Sequence, residues 1–414
     1  MSHGTLTLTP QTQTSDATSA RRHGIGFWVV AAAFLTAMAF STVPSPLYPL
    51  YQLRDGFSTF MVTIVFAAYA VGVIVSLILA GHVSDWVGRK KVLIAALLLE
   101  LVAAVMFLSG TALPLLLVAR LITGLGVGAL TATATAYLHE LHSTHRPTAS
   151  GQRFEKVSTA ANIGGLGVGP LVSGFLAQFV AAPLHTSYAV FAVLLVIAVV
   201  GVTLVPETVA ESTARPAYRP QRISADHGER AGYFAAAAAG FASFAVFGVF
   251  TSVAPGFVAG TLDHPSRLLS GATVFAVFGT AAVAQTLTSR MSGSTKLALG
   301  IAAEALGLIA LVTGMYTLSL PTFLIGGVIA GIGAGVLFKA AVGAVAGMAA
   351  PAERSAALAG LFLISYLGLG IPAVGIGIAT LSMSATTAMT GLAAIVLILL
   401  TGVTLLARRA SATR

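Results

Sequence analysis

The chain has 414 residues, 57% of them hydrophobic and only 8% charged, with a formal net charge of +9. So little charge cannot solvate so much apolar surface, which excludes a soluble globular domain and points to a chain embedded in lipid. There is no cysteine, which excludes disulfides and thiolate metal sites, and solid apolar runs such as VLIAALLLELVAAVMFL do not alternate as the strands of a membrane β-barrel would.

Residues 1–24 begin with a Thr-, Ser- and Gln-rich stretch and are expected to form a disordered tail. Arg21 and Arg22, ahead of an apolar run, imitate a twin-arginine signal, but a cleaved signal is not followed by many further spans. Twelve helical spans are predicted, near 25–49, 58–81, 91–110, 112–138, 157–180, 187–206, 232–256, 268–289, 296–317, 320–345, 355–380 and 386–407. The polar stretch from Pro206 to Arg230 splits them six and six. The expected organisation is a first bundle at 25–206, a linker at 207–231, a second bundle at 232–407 and a tail at 408–414.

Lysine and arginine set the orientation. With the N-terminus inside, 18 of the 22 basic residues fall on the cytoplasmic side. Arg54 and Arg267 lie outside, and Arg120 and Lys339 lie within spans. Both termini are therefore expected in the cytoplasm of a multi-pass protein, with a bacterial plasma membrane as its setting. The basic charge reports topology and does not call for a nucleic-acid partner.

The two halves repeat weakly. TGLGVGAL at 123–130 matches AGIGAGVL at 330–337, GLGVGPLVSG at 165–174 echoes GLGIPAVGIG at 368–377, and Glu100 and Glu304 occupy equivalent places. Parallel repeats of this kind imply an axis along the membrane normal, with a site between the halves near the midplane.

Four motifs then occur in order. Gly81-x-x-x-Asp85-x-x-Gly88-Arg89-Lys90 joins spans 2 and 3 and resembles the signature loop of the major facilitator superfamily. Arg120-x-x-Thr123-Gly124-x-Gly126 in span 4 resembles that family's proton-coupling motif. Gly165-x-x-x-Gly169-Pro170-x-x-Ser173-Gly174 in span 5 resembles the antiporter motif of its drug/proton exchangers. Pro206-Glu207-Thr208 ends span 6 in the family's usual way. Two departures stand out: Trp86 replaces the Arg usual after the Asp, and Arg290 stands where the second half would repeat Asp85.

The resemblance implies an all-α membrane fold of two pseudo-symmetric six-helix bundles. It also implies secondary transport, read as proton-coupled efflux of small amphiphilic or anionic compounds by rocker-switch alternating access. A carrier of sugars or organic acids and a non-transporting receptor or scaffold are the alternatives. The expected partners are a small-molecule substrate, protons and the bilayer, with the chain acting as a monomer. No nucleophile–base set suggests an enzyme, no cofactor is expected, and His139-Glu140-Leu141-His142 is one residue short of the HExxH metal spacing.

Specific roles follow. Gly81 lets a neighbouring helix approach, and Gly88 permits a tight turn. Asp85 can face the N-terminus of span 11, where a helix dipole stabilises a carboxylate by roughly 0.3–1 kcal/mol. Arg89 can pair with Glu140, so that the loop latches the halves on the cytoplasmic side. Arg120, Glu100 and Glu304 are the candidates for proton coupling, since acids buried in a bundle can hold and release protons near neutral pH. Gly165, Gly169 and Gly174 allow close packing, and Pro170 bends span 5. The cavity candidates are Phe40, Tyr48, Tyr69, Asn162, Phe244, Gln285, Lys339 and Tyr366.

Overall fold

The computed structural model describes residues 11–209, 218–222, 229–350 and 353–412. Twelve helices are long and apolar enough to cross a bilayer, and no strand occurs among the described residues. In chain order they are α1 (Arg21–Asp55), α2 (Thr59–Ala80), α3 (Arg89–Ser109), α4 (Leu113–His145), α5 (Gln152–Phe179) and α6 (Pro183–Thr203). The second six are α7 (Arg230–Ser252), α8 (Arg267–Leu287), α9 (Gly293–Tyr316), α10 (Leu320–Met348), α11 (Arg354–Ala379) and α12 (Ala385–Ala410). Lipid offers no hydrogen bonds, so each crossing segment must satisfy its own backbone, and helices do so.

The helix of α1 reaches back to Gln11, into the segment expected to be a disordered tail. Turns added to a helix already nucleated in the bilayer escape the nucleation cost. The expected tail at 1–10 lies outside the described residues, as do 210–217 and 223–228 of the linker and the last two residues. Serines start several spans: Ser58, Ser266 and Ser292 each accept a hydrogen bond from the backbone N–H three residues on.

Packing is built on glycines, and the repeat is visible in it. On α4, a methyl placed on Gly124 or Gly128 would strike the backbone of α2, at Tyr69 and Val73. On α10, Gly331 and Gly335 stand in the same way against Val277 and Ala281 of α8. Between these pairs, Gly126 faces Glu100 of α3 and Gly333 faces Glu304 of α9. Each half thus uses its three-glycine run to hold one neighbour on two of them and a glutamate on the third.

The halves meet through α2 with α11 and through α5 with α8. Gly377 is pressed on Thr63, and Gly370 approaches Ala70. A methyl on Gly174 would stand 2.6 Å from the carbonyl oxygen of Arg267, and Gly271 abuts Pro170. All four contacts lie in the half of the molecule away from the face carrying Arg89, Arg146 and Arg354, here called the basic face. Towards the basic face a cavity of about 600 Å³ separates α2, α4 and α5 from α8, α10 and α11, reaching the exposed His139.

If these crossings close the far side, loosening one should shift the molecule away from the open-to-basic state. The chain's lack of cysteine allows a clean readout. Gly377→Val should slow labelling of a His139→Cys reporter by an impermeant maleimide severalfold. An unchanged rate would show that the α2–α11 crossing does not control access.

Candidate functional site

The loop between α2 and α3 is a charged knot. Gly88 has φ +110°, a region that side chains rarely adopt, and a methyl there would meet the Glu207 carboxylate. Glu207 caps α3 from 118 residues away: Arg89 N–H donates to Oε1 at 3.0 Å and Lys90 N–H to Oε2 at 3.1 Å. Arg89 lays its guanidinium between two acids, donating from Nη1 to Asp85 and from Nη2 to Glu140 at 2.9 Å. Thr208 donates its hydroxyl to Glu140, and Tyr137 donates to the Pro206 carbonyl at 2.6 Å. The ends of α4 and α6 are thereby tied to the start of α3.

Asp85 is 62% exposed on its side chain, and no hydrogen bond or ion pair among the described residues joins it to α11. Residues 218–222 of the linker bridge that gap. Gln221 N–H donates to Ile78 O at 2.8 Å and Tyr218 hydroxyl to Leu79 O at 3.0 Å, while Gln221 Nε2 reaches Ser355 Oγ at the start of α11 at 3.3 Å. Gly81 admits no neighbouring helix here. A methyl on it would meet only Leu77 O in its own last turn, because the halves are splayed at this end. Arg290, in the corresponding second-half loop, reaches Gln152 Oε1 at 3.4 Å.

Deeper in the first half, α1 is broken. Its helix ends at Thr42, turns through Ser45–Leu47 and resumes at Tyr48–Asp55. The carbonyls at the break are taken by other helices: Arg120 Nη1 donates to Ser41 O at 2.6 Å and Ser173 Oγ to Val43 O at 2.9 Å. Pro170 has no N–H, so the Leu166 carbonyl four residues earlier loses its helical partner. Thr42 Oγ1 supplies one at 2.9 Å. Gly165 and Gly169 let α5 come this close, against Met38 and Ala39. Arg120 is buried, with its guanidinium 4.5 Å from the Tyr69 ring centre and its Nε unpaired.

Glu100 and Glu304 are fully buried, and neither carboxyl has a hydrogen-bond partner among the described residues. Neither lines the cavity.

The cavity walls carry Asn162, Gln285, Lys339 and Tyr366 among the residues the sequence suggests. Asn162 sits in a wide π turn, Ala160–Gly164, of a kind that recurs at functional sites. Lys339 Nζ donates to the Gln285 carbonyl at 2.8 Å. Phe40, Tyr48, Tyr69 and Phe244 are not on the wall. Phe40 packs on Phe107 and Phe191, and Tyr48 lies beside Tyr51, whose hydroxyl is 3.1 Å from that of Tyr188, in the closed far half. Tyr69 lies under Arg120, and Phe244 packs behind Phe338 and Tyr366. The sequence reading missed Thr131, Thr135, Phe154, Phe338 and Phe362, which also line the wall. The i, i+4 spacing of Thr131 and Thr135 was the available signal.

Residues 29–317 match the family model described as Major Facilitator Superfamily. The uncharacterized MFS-type transporter Rv1250 of Mycobacterium tuberculosis is 30% identical over 151 residues, covering 36% of this chain and 25% of that protein. The match therefore spans a quarter of this curated relative's length. The human organic anion transporter MFSD10 (TETRAN) superposes with a TM-score of 0.65 at 17% identity, over 92% of this chain and 99% of that one. The nucleoside transporter NupG gives 0.65 at 14% identity, over 94% and 99%. At these identities the likeness to the solved structures is one of fold.

Glu207 holds the charged knot together without belonging to the loop. Glu207→Gln removes the charge at the α3 N-terminus and one backbone acceptor, a loss of roughly 0.5–1 kcal/mol. A small fall in apparent Tm in detergent, with faster hydrogen exchange confined to the start of α3, is the expected result. Unchanged exchange at Arg89 and Lys90 would contradict it.

Proposed function

This chain belongs to the major facilitator superfamily, a family of secondary transporters in the membrane, and from that premise we propose proton-coupled efflux of small amphiphilic or anionic compounds by rocker-switch alternating access. The observation that carries the reading is the cavity between the halves. It is pinned shut at one side by glycine crossings, open toward the other, and faced by aromatic rings and one ammonium. The lining residues that bear charge are Lys339 and Glu140, and Glu140 is already paired with Arg89. An anionic head near Lys339 with an apolar body on Phe338, Phe362 and Tyr366 fits that surface. One chain supplies both walls, so the working unit is taken as a monomer. The basic face is taken as cytoplasmic, because lysine and arginine concentrate there.

Coupling is assigned to Glu100, Glu304 and Arg120. The two glutamates are the mid-span acids, buried and unpartnered, and each abuts the glycine run through which α4 or α10 packs. A change in their protonation bears directly on that packing. Arg120 ties α4 to the break in α1. The knot of Asp85, Arg89, Glu140 and Glu207 is assigned the role of a latch. In the present open state Asp85 is exposed, and in the closed state it would meet the N-terminus of α11.

Reconstitution in liposomes with an imposed pH gradient tests the reading. Lys339→Ala should raise KM for a carboxylate-bearing fluorescent amphiphile about tenfold, the scale of one charge-assisted contact, and leave an uncharged analogue unaffected. Equal effects on both would remove the anion preference.

Coupling is tested separately. Glu100→Gln should preserve substrate counterflow and abolish acceleration by the gradient, Arg120→Ala should abolish proton-driven transport, and Asp85→Asn should cut transport at normal expression. Full gradient-driven activity in all three would remove both the coupling and the latch assignments.

A further inference from the structure

Away from the cavity and the latch, a second constellation lies at the basic face. The start of α1, the end of α4 and the start of α5 enclose a pocket of about 450 Å³. Three arginines line it, Arg21 from α1 and Arg146 and Arg153 from either side of the turn between α4 and α5. No acidic residue among the described residues lines it. His142 forms part of its wall. That residue is 6% exposed, and its Nε2 has no hydrogen-bond partner.

The outer rim of the pocket is apolar and exposed. Trp28 is 52% exposed and Ile25 57% exposed. The Arg153 guanidinium stands 5.2 Å from the Trp28 ring centre. Tryptophan beside arginine is the composition of a membrane–water interface. Basic pockets between helices at such an interface suit the head groups of anionic lipids.

We propose that this pocket binds the phosphate head group of an anionic phospholipid. The three arginines take the phosphate oxygens, as guanidinium groups do for planar or tetrahedral oxyanions. The first acyl methylenes run out over Ile25 and Trp28. A free inorganic phosphate would satisfy the same arginines but would leave that apolar rim unused. The site shares no residue with the substrate cavity, so it stands whether or not the transport reading does. Its occupant would brace α1 against α4 and α5 at the end where the halves are apart.

The test uses the full chain in nanodiscs of phosphatidylcholine with or without phosphatidylglycerol, with native mass spectrometry to count retained lipids. Wild type should retain phosphatidylglycerol over phosphatidylcholine. Arg146→Glu with Arg153→Glu should weaken that retention about tenfold or more, the scale of losing two interfacial arginines. The melting profile in phosphatidylcholine alone should stay unchanged. Should the double variant not fold, Arg153→Gln, altering one exposed side chain, should give a smaller loss of the same sign. Equal phosphatidylglycerol retention in wild type and variants would overturn the proposal. So would stabilisation by inorganic phosphate in phosphatidylcholine nanodiscs matching that by phosphatidylglycerol, since that would assign the pocket to a free anion.

Discussion

In hydrocarbon, two apolar helices gain little by leaving lipid for each other, so close packing and the hydrogen bonds it permits must hold a bundle together. Here that closeness comes from glycine set against a neighbour's backbone. Gly124 and Gly128 dock α4 on α2, and Gly331 and Gly335 dock α10 on α8. The same device joins the halves, through Gly377 on Thr63 and Gly174 on the Arg267 carbonyl. Such contacts are short-ranged and shape-dependent. They hold rigidly while intact and are lost abruptly when a helix tilts, which suits two rigid bodies that pivot better than one that flexes.

The second constraint is that no carbonyl inside the bilayer can be left without a partner. The break in α1 and the proline in α5 both free such groups, and the chain answers each with a side chain from another helix. Arg120 takes Ser41 O, Ser173 takes Val43 O, and Thr42 takes Leu166 O. The three bonds converge where α1, α4 and α5 meet. A motif that reads as glycine packing plus a bend is, in this chain, half of a reciprocal exchange with α1.

The spans were legible in the sequence because lipid imposes one rule on every crossing segment, and length and hydropathy report it directly. Polar residues within spans, such as Asn162, Gln285 and Lys339, were legible as wall candidates because their alternative is contact with lipid. The aromatic candidates were not separable this way, since Phe40 or Phe244 is equally at ease in a core. Glu207 as the cap of α3 and Tyr218 and Gln221 as a bridge toward α11 were beyond reach. Those contacts join segments more than a hundred residues apart, and nothing local records them. Asp85 pairs with Arg89 here, and the contact with α11 expected of it is absent among the described residues, where the halves stand apart at this end.

The repeat that aligns TGLGVGAL with AGIGAGVL sets Lys339 opposite Ala132, and both line the cavity. At this pair of positions the pocket is lopsided, with a cation on one wall and a methyl on the other, while Glu140 on the α4 side is already paired with Arg89. In a cycle that exposes the cavity first to one side and then to the other, the membrane potential drops across opposite sides of that ammonium. One charge carried through about 100 mV is worth about 2.3 kcal/mol, so under the alternating access proposed above the empty carrier would turn under the influence of voltage. With the proposed anion beside Lys339 the pair would be neutral, and the loaded carrier would turn without regard to the field.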